Sequence, residues 1–242
     1  MRVAVVSDIH ANLPALEAVL SAVDEERPDA IWCLGDVVGY GPHPNECCAV
    51  VRERADLCLA GNHDLAVLGS LSIDEFSDDA AAAARWTQSV LDDAGRAFLA
   101  ALEPTAERPG VQLFHGSPLD PVWSYVLDEQ TAYLSFRATQ APLVLVGHSH
   151  VALEIWFDGE TLGGGVAAAG TEVDLREPRR LLNPGSVGQP RDNDSLASWL
   201  LVDFDAGRAA FRRVPYAIHE TQAAIRARGL PETLATRLGA GV

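Results

Sequence analysis

Apolar residues fall along this chain in short runs, and helix-spaced apolar positions fill the gaps between them. Residues 2–6 (RVAVV), 30–34 (AIWCL) and 57–60 (LCLA) are continuous apolar stretches of strand length, the pattern of strands buried on both faces. Between the first two, Leu13, Leu16, Leu20 and Val23 recur on one helical face, behind Asn12 as an N-cap and Pro14 in the first turn. A second helix is expected over 44–54. One strand and one helix per unit predict a parallel sheet with right-handed crossovers, which brings all its strand ends to one edge.

From 65 to 109 the sequence becomes Ala-rich and acidic, including Ala80 to Ala84 and the stretch 87–102, and is expected to form a helical insertion beside that edge. Strand patterns resume at 111–114 and 143–146, with a helix expected over 128–140. After His150 the pattern is hairpin-like: 153–157, a Gly/Ala-rich stretch at 163–170, 180–182, 199–204 and 209–214, with turns at Asp158-Gly159 and 205–207. Short helices are expected near 219–228 and 231–238. No repeat or linker interrupts the pattern, so residues 1–242 read as a single domain.

The 242 residues, 48% of them hydrophobic, suffice for a large core. No run approaches the roughly 18 apolar residues of a membrane span, and the apolar start is too short for a signal peptide, so a cytoplasmic protein without membrane contact is expected. Cys33, Cys47, Cys48 and Cys58 form no CxxC pair and read as buried, reduced thiols. All 18 basic residues are arginine, which excludes P-loop and Schiff-base chemistry, both of which need a lysine. The 34 acids give a net charge of -16, which opposes strong binding to nucleic acid.

Five polar clusters follow the apolar runs: Asp8-Ile9-His10, Gly35-Asp36, Gly61-Asn62-His63-Asp64, His115-Gly116 and Gly147-His148-Ser149-His150. Each alone has a bland reading, since an Asp or Asn closing a strand is commonly a turn or cap residue. Together they hold five of the seven histidines at strand ends, and Asp8, Asp36 and Asn62 recur at spacings of 28 and 26 residues, about one strand-helix unit each. Such convergence of carboxylate, imidazole and amide groups points to bound metal.

On these clusters, and on Asn183-Pro184-Gly185-Ser186-Val187-Gly188 further on, the chain resembles the calcineurin-like metallophosphoesterases, in particular their small prokaryotic phosphodiesterase-like branch. The resemblance runs over essentially the full length. It implies an α/β fold, a four-layer α-β-β-α sandwich with central mixed sheets and a helical insertion. It also implies two divalent metal ions, Mn favoured and Fe, Co, Ni or Zn compatible, one held by Asp8, His10, Asp36 and His150 and the other by Asp36, Asn62, His115 and His148. His63, oriented by Asp64, would contact the phosphate or protonate the leaving oxygen. A hydroxide bridging the metals would then attack phosphorus in line. Asn183 to Gly188 is expected to form a backbone turn supporting the site.

Related phosphoprotein phosphatases carry arginines within GDxVDRG and RGNHE patterns, where this chain has Gly39-Tyr40-Gly41 and Ala60-Gly61-Asn62-His63-Asp64. A monoester dianion needs more positive charge than a diester monoanion, so the expected substrate is a small phosphodiester. A phosphomonoester or a dinucleoside polyphosphate is the alternative on the same site, and a non-catalytic protein-binding scaffold is the alternative of another class. Candidate substrate contacts are Asn12, Tyr40, Trp123, Tyr125 and Arg191. Asn12 reads equally well as a helix cap, the aromatics as core, and Arg191 as a partner of Asp192 or Asp194.

Overall fold

The computed structural model describes all residues 1–242. Strand β1 (Arg2–Val6) leads through helix α1 (Leu13–Glu26), β2 (Ala30–Cys33) and α2 (Pro44–Arg54) to β3 (Leu57–Cys58). These three strands lie parallel and adjacent, as the spacing of the first clusters predicts. Helices α3 (Asn62–Val67), α4 (Asp78–Val90) and α5 (Asp93–Ala100) follow. The stretch expected to be helical as far as 109 ends earlier, because β4 (Thr105–Arg108) is an edge strand antiparallel to β5 (Val111–Phe114). Its sequence, TAER, is largely exposed and carries no apolar alternation, so pairing with β5 decides its conformation.

Beyond β5 come α6 (Glu129–Ala138), β6 (Leu143–Val146), β7 (Ala152–Phe157), β8 (Leu162–Val166), β9 (Glu172–Asp174), β10 (Arg179–Pro184), β11 (Ala197–Asp203), β12 (Arg208–Val214), α7 (Ile218–Ala227) and α8 (Glu232–Ala240). The strands build two six-stranded mixed sheets, ordered β3-β2-β1-β11-β12-β9 and β4-β5-β6-β10-β7-β8. The expectation of a single parallel edge is therefore corrected. β1 to β3 deliver the first three clusters from one sheet, whereas β5 and β6 deliver the histidines from the other. Antiparallel β11 flanks the parallel run beside β1.

The sheets stack face to face, with Val3, Val5, Trp32 and Leu200 of one meeting Leu113, Leu143, Leu145 and Leu182 of the other. The alternate residues point outward. Ala4, Val6, Trp199 and Leu201 pack against Leu16, Leu20, Cys47 and Val51 of α1 and α2, while Val144, Val146 and Leu181 pack against Phe136 of α6. Both faces of the central strands are buried, which explains their unbroken apolar sequence and produces the four α-β-β-α layers. The α7–α8 pair rests on Ala83 of α4, with Tyr40 packed beside it. All four cysteines are free, and no helix is long and apolar enough to cross a membrane.

Candidate metal centre

At the ends of β1, β2 and β6 the backbone turns sharply. Asp8, His10, Asp36, His148 and His150 all adopt left-handed conformations, with φ of 54°, 50°, 53°, 64° and 58°. For a residue with a Cβ this costs about 1 kcal/mol or more, and such strain persists only where the surroundings impose it. Cross-loop hydrogen bonds do so here: Asp8 N–H donates to Gly35 O (3.0 Å), His10 N–H to Asp36 O (2.9 Å) and Gly188 N–H to Asp8 O (2.9 Å). The expected turn over Asn183–Gly188 starts later, since Asn183 and Pro184 end β10, and this strand end and the bend after it tie the two sheets together. Asn183 Nδ2 donates to Gly147 O (2.7 Å) and Ser149 Oγ (3.0 Å), and Ser186 Oγ donates to Asp8 O (2.7 Å). Close approach matters most at Gly61, where a Cβ would overlap Asp36 Oδ1 and crowd its backbone nitrogen.

These loops bring together Asp8, His10, Asp36 and His150 as one group, and Asp36, His115 and His148 as a second; within each, the ligand atoms lie within 4.8 Å of one another. Asp36 belongs to both. Its Oδ2 stands 3.6 Å from His10 Nε2 and 3.5 Å from His115 Nε2. Asp8 Oδ1 is 3.5 Å from His150 Nε2, and Asn62 Oδ1 joins the second group 3.1 Å from His115 Nε2.

Proton accounting shows what the cluster lacks. His10, His115 and His150 point Nδ1 at the carbonyls of Val38 (3.1 Å), Leu34 (2.8 Å) and Gln189 (2.7 Å). A carbonyl only accepts, so each Nδ1 carries a proton, and in the neutral form of each ring Nε2 presents a bare lone pair. His10 Nε2 and His150 Nε2, 2.9 Å apart, thus oppose lone pair to lone pair, and His115 Nε2 faces the Asn62 amide oxygen. Asp8 Oδ1, Asp36 Oδ2 and His148 Nε2 are buried without any hydrogen-bond partner. Acceptors massed in this way call for protons or cations between them, and this mixed oxygen and imidazole set suits divalent transition metals. The carbonyl-anchored Nδ1 atoms also fix the orientation of each ring as a ligand.

Burial pushes the Asp8 carboxyl up to about 7 and raises that of Asp36 well above the usual carboxylate range, with the neighbouring Asp64 charge adding to the latter. It depresses His10 and His150 strongly and brings His148 to about 2. The metal-free histidines are therefore ready to ligate, while Asp8 holds a proton below neutrality. Metal binding must displace that proton together with the one that burial holds on Asp36, so affinity for Mn²⁺ is expected to fall about tenfold or more for each pH unit below 7. Calorimetric titration between about pH 6 and pH 8 measures this, and a flat profile would remove Asp8 from the ligands.

His63 lies beside both groups, its ring 4.9 Å from that of His10, 4.4 Å from Tyr40 and 4.6 Å from Phe76, with Nδ1 buried and unpartnered. Asp64 does not orient it, contrary to expectation. Its carboxylate accepts from the N–H groups of Gly61 (3.0 Å), Val38 (3.1 Å) and Val37 (3.3 Å). Consecutive residues of a helix project about 100° apart, so Asp64 faces the loops while His63 faces the centre. Burial, and next the charge of Arg191, push His63 well below its ordinary value, which favours the neutral ring.

A cavity of about 260 Å³ opens against Asn62 and His63, lined by Tyr40, Trp123, Tyr125 and Arg191. Tyr125 stacks on His148 at 3.9 Å. Arg191 Nη2 bonds Gln189 Oε1 (2.9 Å) and Tyr40 Oη (3.3 Å). It does not pair with Asp192 or Asp194, since both are engaged by Arg213. Asn12 stands apart from these four. Its amide accepts from Ala15 N–H (3.3 Å) and Thr221 Oγ1 (2.8 Å) and donates to Gly188 O (2.8 Å) and Tyr216 Oη (3.3 Å), which leaves no polar atom for a substrate. Phe76 and Arg237 also line the cavity and were not anticipated. Phe76 lies in a short acidic run without a motif, and Arg237 reads as an ordinary charge on an amphipathic helix.

Similarity to known proteins agrees with this geometry. A metallophosphoesterase from Sphaerobacter thermophilus superposes with a TM-score of 0.91 at 44% identity, covering 100% of this chain and 99% of that one. A hypothetical protein from Pyrococcus horikoshii OT3 shares the fold, with a TM-score of 0.81 at 22% identity over 100% of this chain and 98% of its own. In sequence, an uncharacterized protein of Methanocaldococcus jannaschii is 37% identical over 245 residues, 99% of this chain and 98% of that protein. Residues 1–207 match the model of the calcineurin-like phosphoesterase superfamily domain, and the chain belongs to that superfamily.

Proposed function

We propose that this chain hydrolyses small phosphodiesters with two divalent ions, one held by Asp8, His10, Asp36 and His150 and the other by Asp36, Asn62, His115 and His148. The observation that carries this reading is the position of Asp36 Oδ2, buried without a donor and shared by both ligand groups. Ions bound there would activate a water at neutral pH and offset charge on the phosphate oxygens. His63 faces the same cavity. An anionic phosphate beside it raises its proton affinity, which equips it to protonate the departing oxygen, an effect of about 100- to 10,000-fold. Tyr40, with Arg191 over its ring, packs on the ring of His10, and Trp123 and Tyr125 pack on that of His148. A wall for each of two substituents favours a disubstituted phosphate.

The test compares bis(4-nitrophenyl) phosphate with 4-nitrophenyl phosphate at equal Mn²⁺ loading. The diester is expected to turn over faster, and chelation followed by dialysis to abolish both activities. A monoester rate about a hundred times the diester rate would reverse the assignment, since that ratio is worth nearly 3 kcal/mol of transition-state preference.

A further inference from the structure

We propose that Arg191 and Arg237 form a second anion subsite beside the metal centre, so that the substituent facing them carries a further phosphate group. This rests on the phosphodiesterase reading for the scissile phosphate but concerns a different part of the substrate.

In a chain of net charge -16, two guanidinium groups line one small cavity. Arg191 has lost its sequence-adjacent carboxylates to Arg213, and its buried Nε has no hydrogen-bond partner. Arg237, on α8, donates Nε to Val242 O (2.6 Å), while its Nη groups bond nothing in the protein. The charges also sense one another, since the proton affinity of Arg237 is lowered first by burial and then by Arg191. The one carboxylate on the cavity lining, Glu75, is exposed to solvent. The two neighbouring cations repel, and Asp79, whose charge favours that of Arg237, lies off the cavity lining, so an anion bound in the cavity would relieve the repulsion.

Charge counting identifies the anion. Two dications offset by Asp8 and Asp36 leave two positive charges, which a diester monoanion and a deprotonated attacking water balance. The two arginines are then surplus to the scissile phosphate. They match the two negative charges of a second phosphate, which planar guanidinium forks bind in bidentate fashion. Arg237 lies outside residues 1–207, the part matched by the superfamily model, so the shared metal motifs do not account for it.

Calorimetry on the full Mn²⁺-saturated chain tests this with methylenediphosphonate and methylphosphonate, neither of which is hydrolysed. The wild type is expected to bind the diphosphonate about tenfold more tightly or better, and both Arg191→Gln and Arg237→Gln to erase the preference. Equal affinities in the wild type, or a preference that survives in Arg237→Gln, would overturn the proposal. Arg237 is half-exposed on its helix, so that variant stays informative even where Arg191→Gln fails to fold. Neither probe reports turnover. A protein that hydrolyses nothing yet keeps the arginine-dependent preference would defeat the hydrolase reading and leave the subsite standing.

Discussion

On the proposed function, Asp36→Asn is expected to lower phosphodiester hydrolysis about a thousandfold or more, since it removes the charge common to both ligand groups and with it some 4 kcal/mol of transition-state stabilisation. Its effect on the metal-free protein should have the opposite sign. Oδ1 already accepts from His63 N–H at 2.9 Å, so an asparagine oxygen takes that place. The new amide nitrogen then falls where Oδ2 stood, facing the bare Nε2 atoms of His10 and His115 as a donor. A buried carboxylate is also lost. The folded state holds the Asp36 proton more tightly than the unfolded chain, so wild-type stability without metal declines as pH rises above the ordinary aspartate value of 3.8. Metal-free Asp36→Asn is thus expected to melt above the wild type at pH 8, with the gap narrowing towards acid pH. Parallel loss of activity and melting temperature would indicate a merely structural residue.

Gly61→Ala is the second large effect. Gly61 has an ordinary φ of -95°, so the constraint is space and not conformation. A methyl group there overlaps the Asp36 carboxylate and its backbone nitrogen, neither of which can yield without moving the β2 loop. Overpacking of this kind costs about 1–3 kcal/mol, or roughly 2–10 °C in melting temperature for a domain of this size. Because the displaced group is the shared ligand, activity should drop far more than stability, with substoichiometric metal by elemental analysis. Gly239→Ala is the control. Its nearest neighbour is the flexible end of Gln222, at 3.7 Å, and helix propensity alone favours the change by up to about 1 kcal/mol.

The ligand cluster is legible in the sequence because each member follows an apolar strand and is flanked by residues that turn the chain tightly. Asp8, Asp36 and Asn62 keep the rhythm of successive strand-helix units, and those strands do lie side by side. The rhythm does not say which sheet a later strand joins. Val111–Phe114 and Leu143–Val146 look like further members of the first sheet, and only the pairing of β10 with β6 and of β11 with β1 reveals two. The β4 strand escapes because hydrogen bonding, not apolar alternation, holds it. Sequence adjacency also misleads at His63-Asp64, where helical geometry sends the two side chains apart. The cavity wall is the least legible part. Phe76 and Arg237 come from an acidic loop and from the last helix, and only tertiary packing brings them to Tyr40 and Trp123.

The interleaving of late strands among early ones has a consequence for biosynthesis. β11 separates β1 from β12, and β10 separates β6 from β7, so the middle of each sheet comes from the last third of the chain. A nascent polypeptide cannot complete the second sheet until Pro184, or the first until Val214, has left the ribosome, and long-range pairing of this sort is slow. Asp8, though translated first, waits for Ser186 and Gly188 to lock its loop, to which the Asp36 loop is bonded in turn. A messenger truncated before codon 180 would thus yield a chain that carries every candidate ligand yet is expected to capture no metal ion.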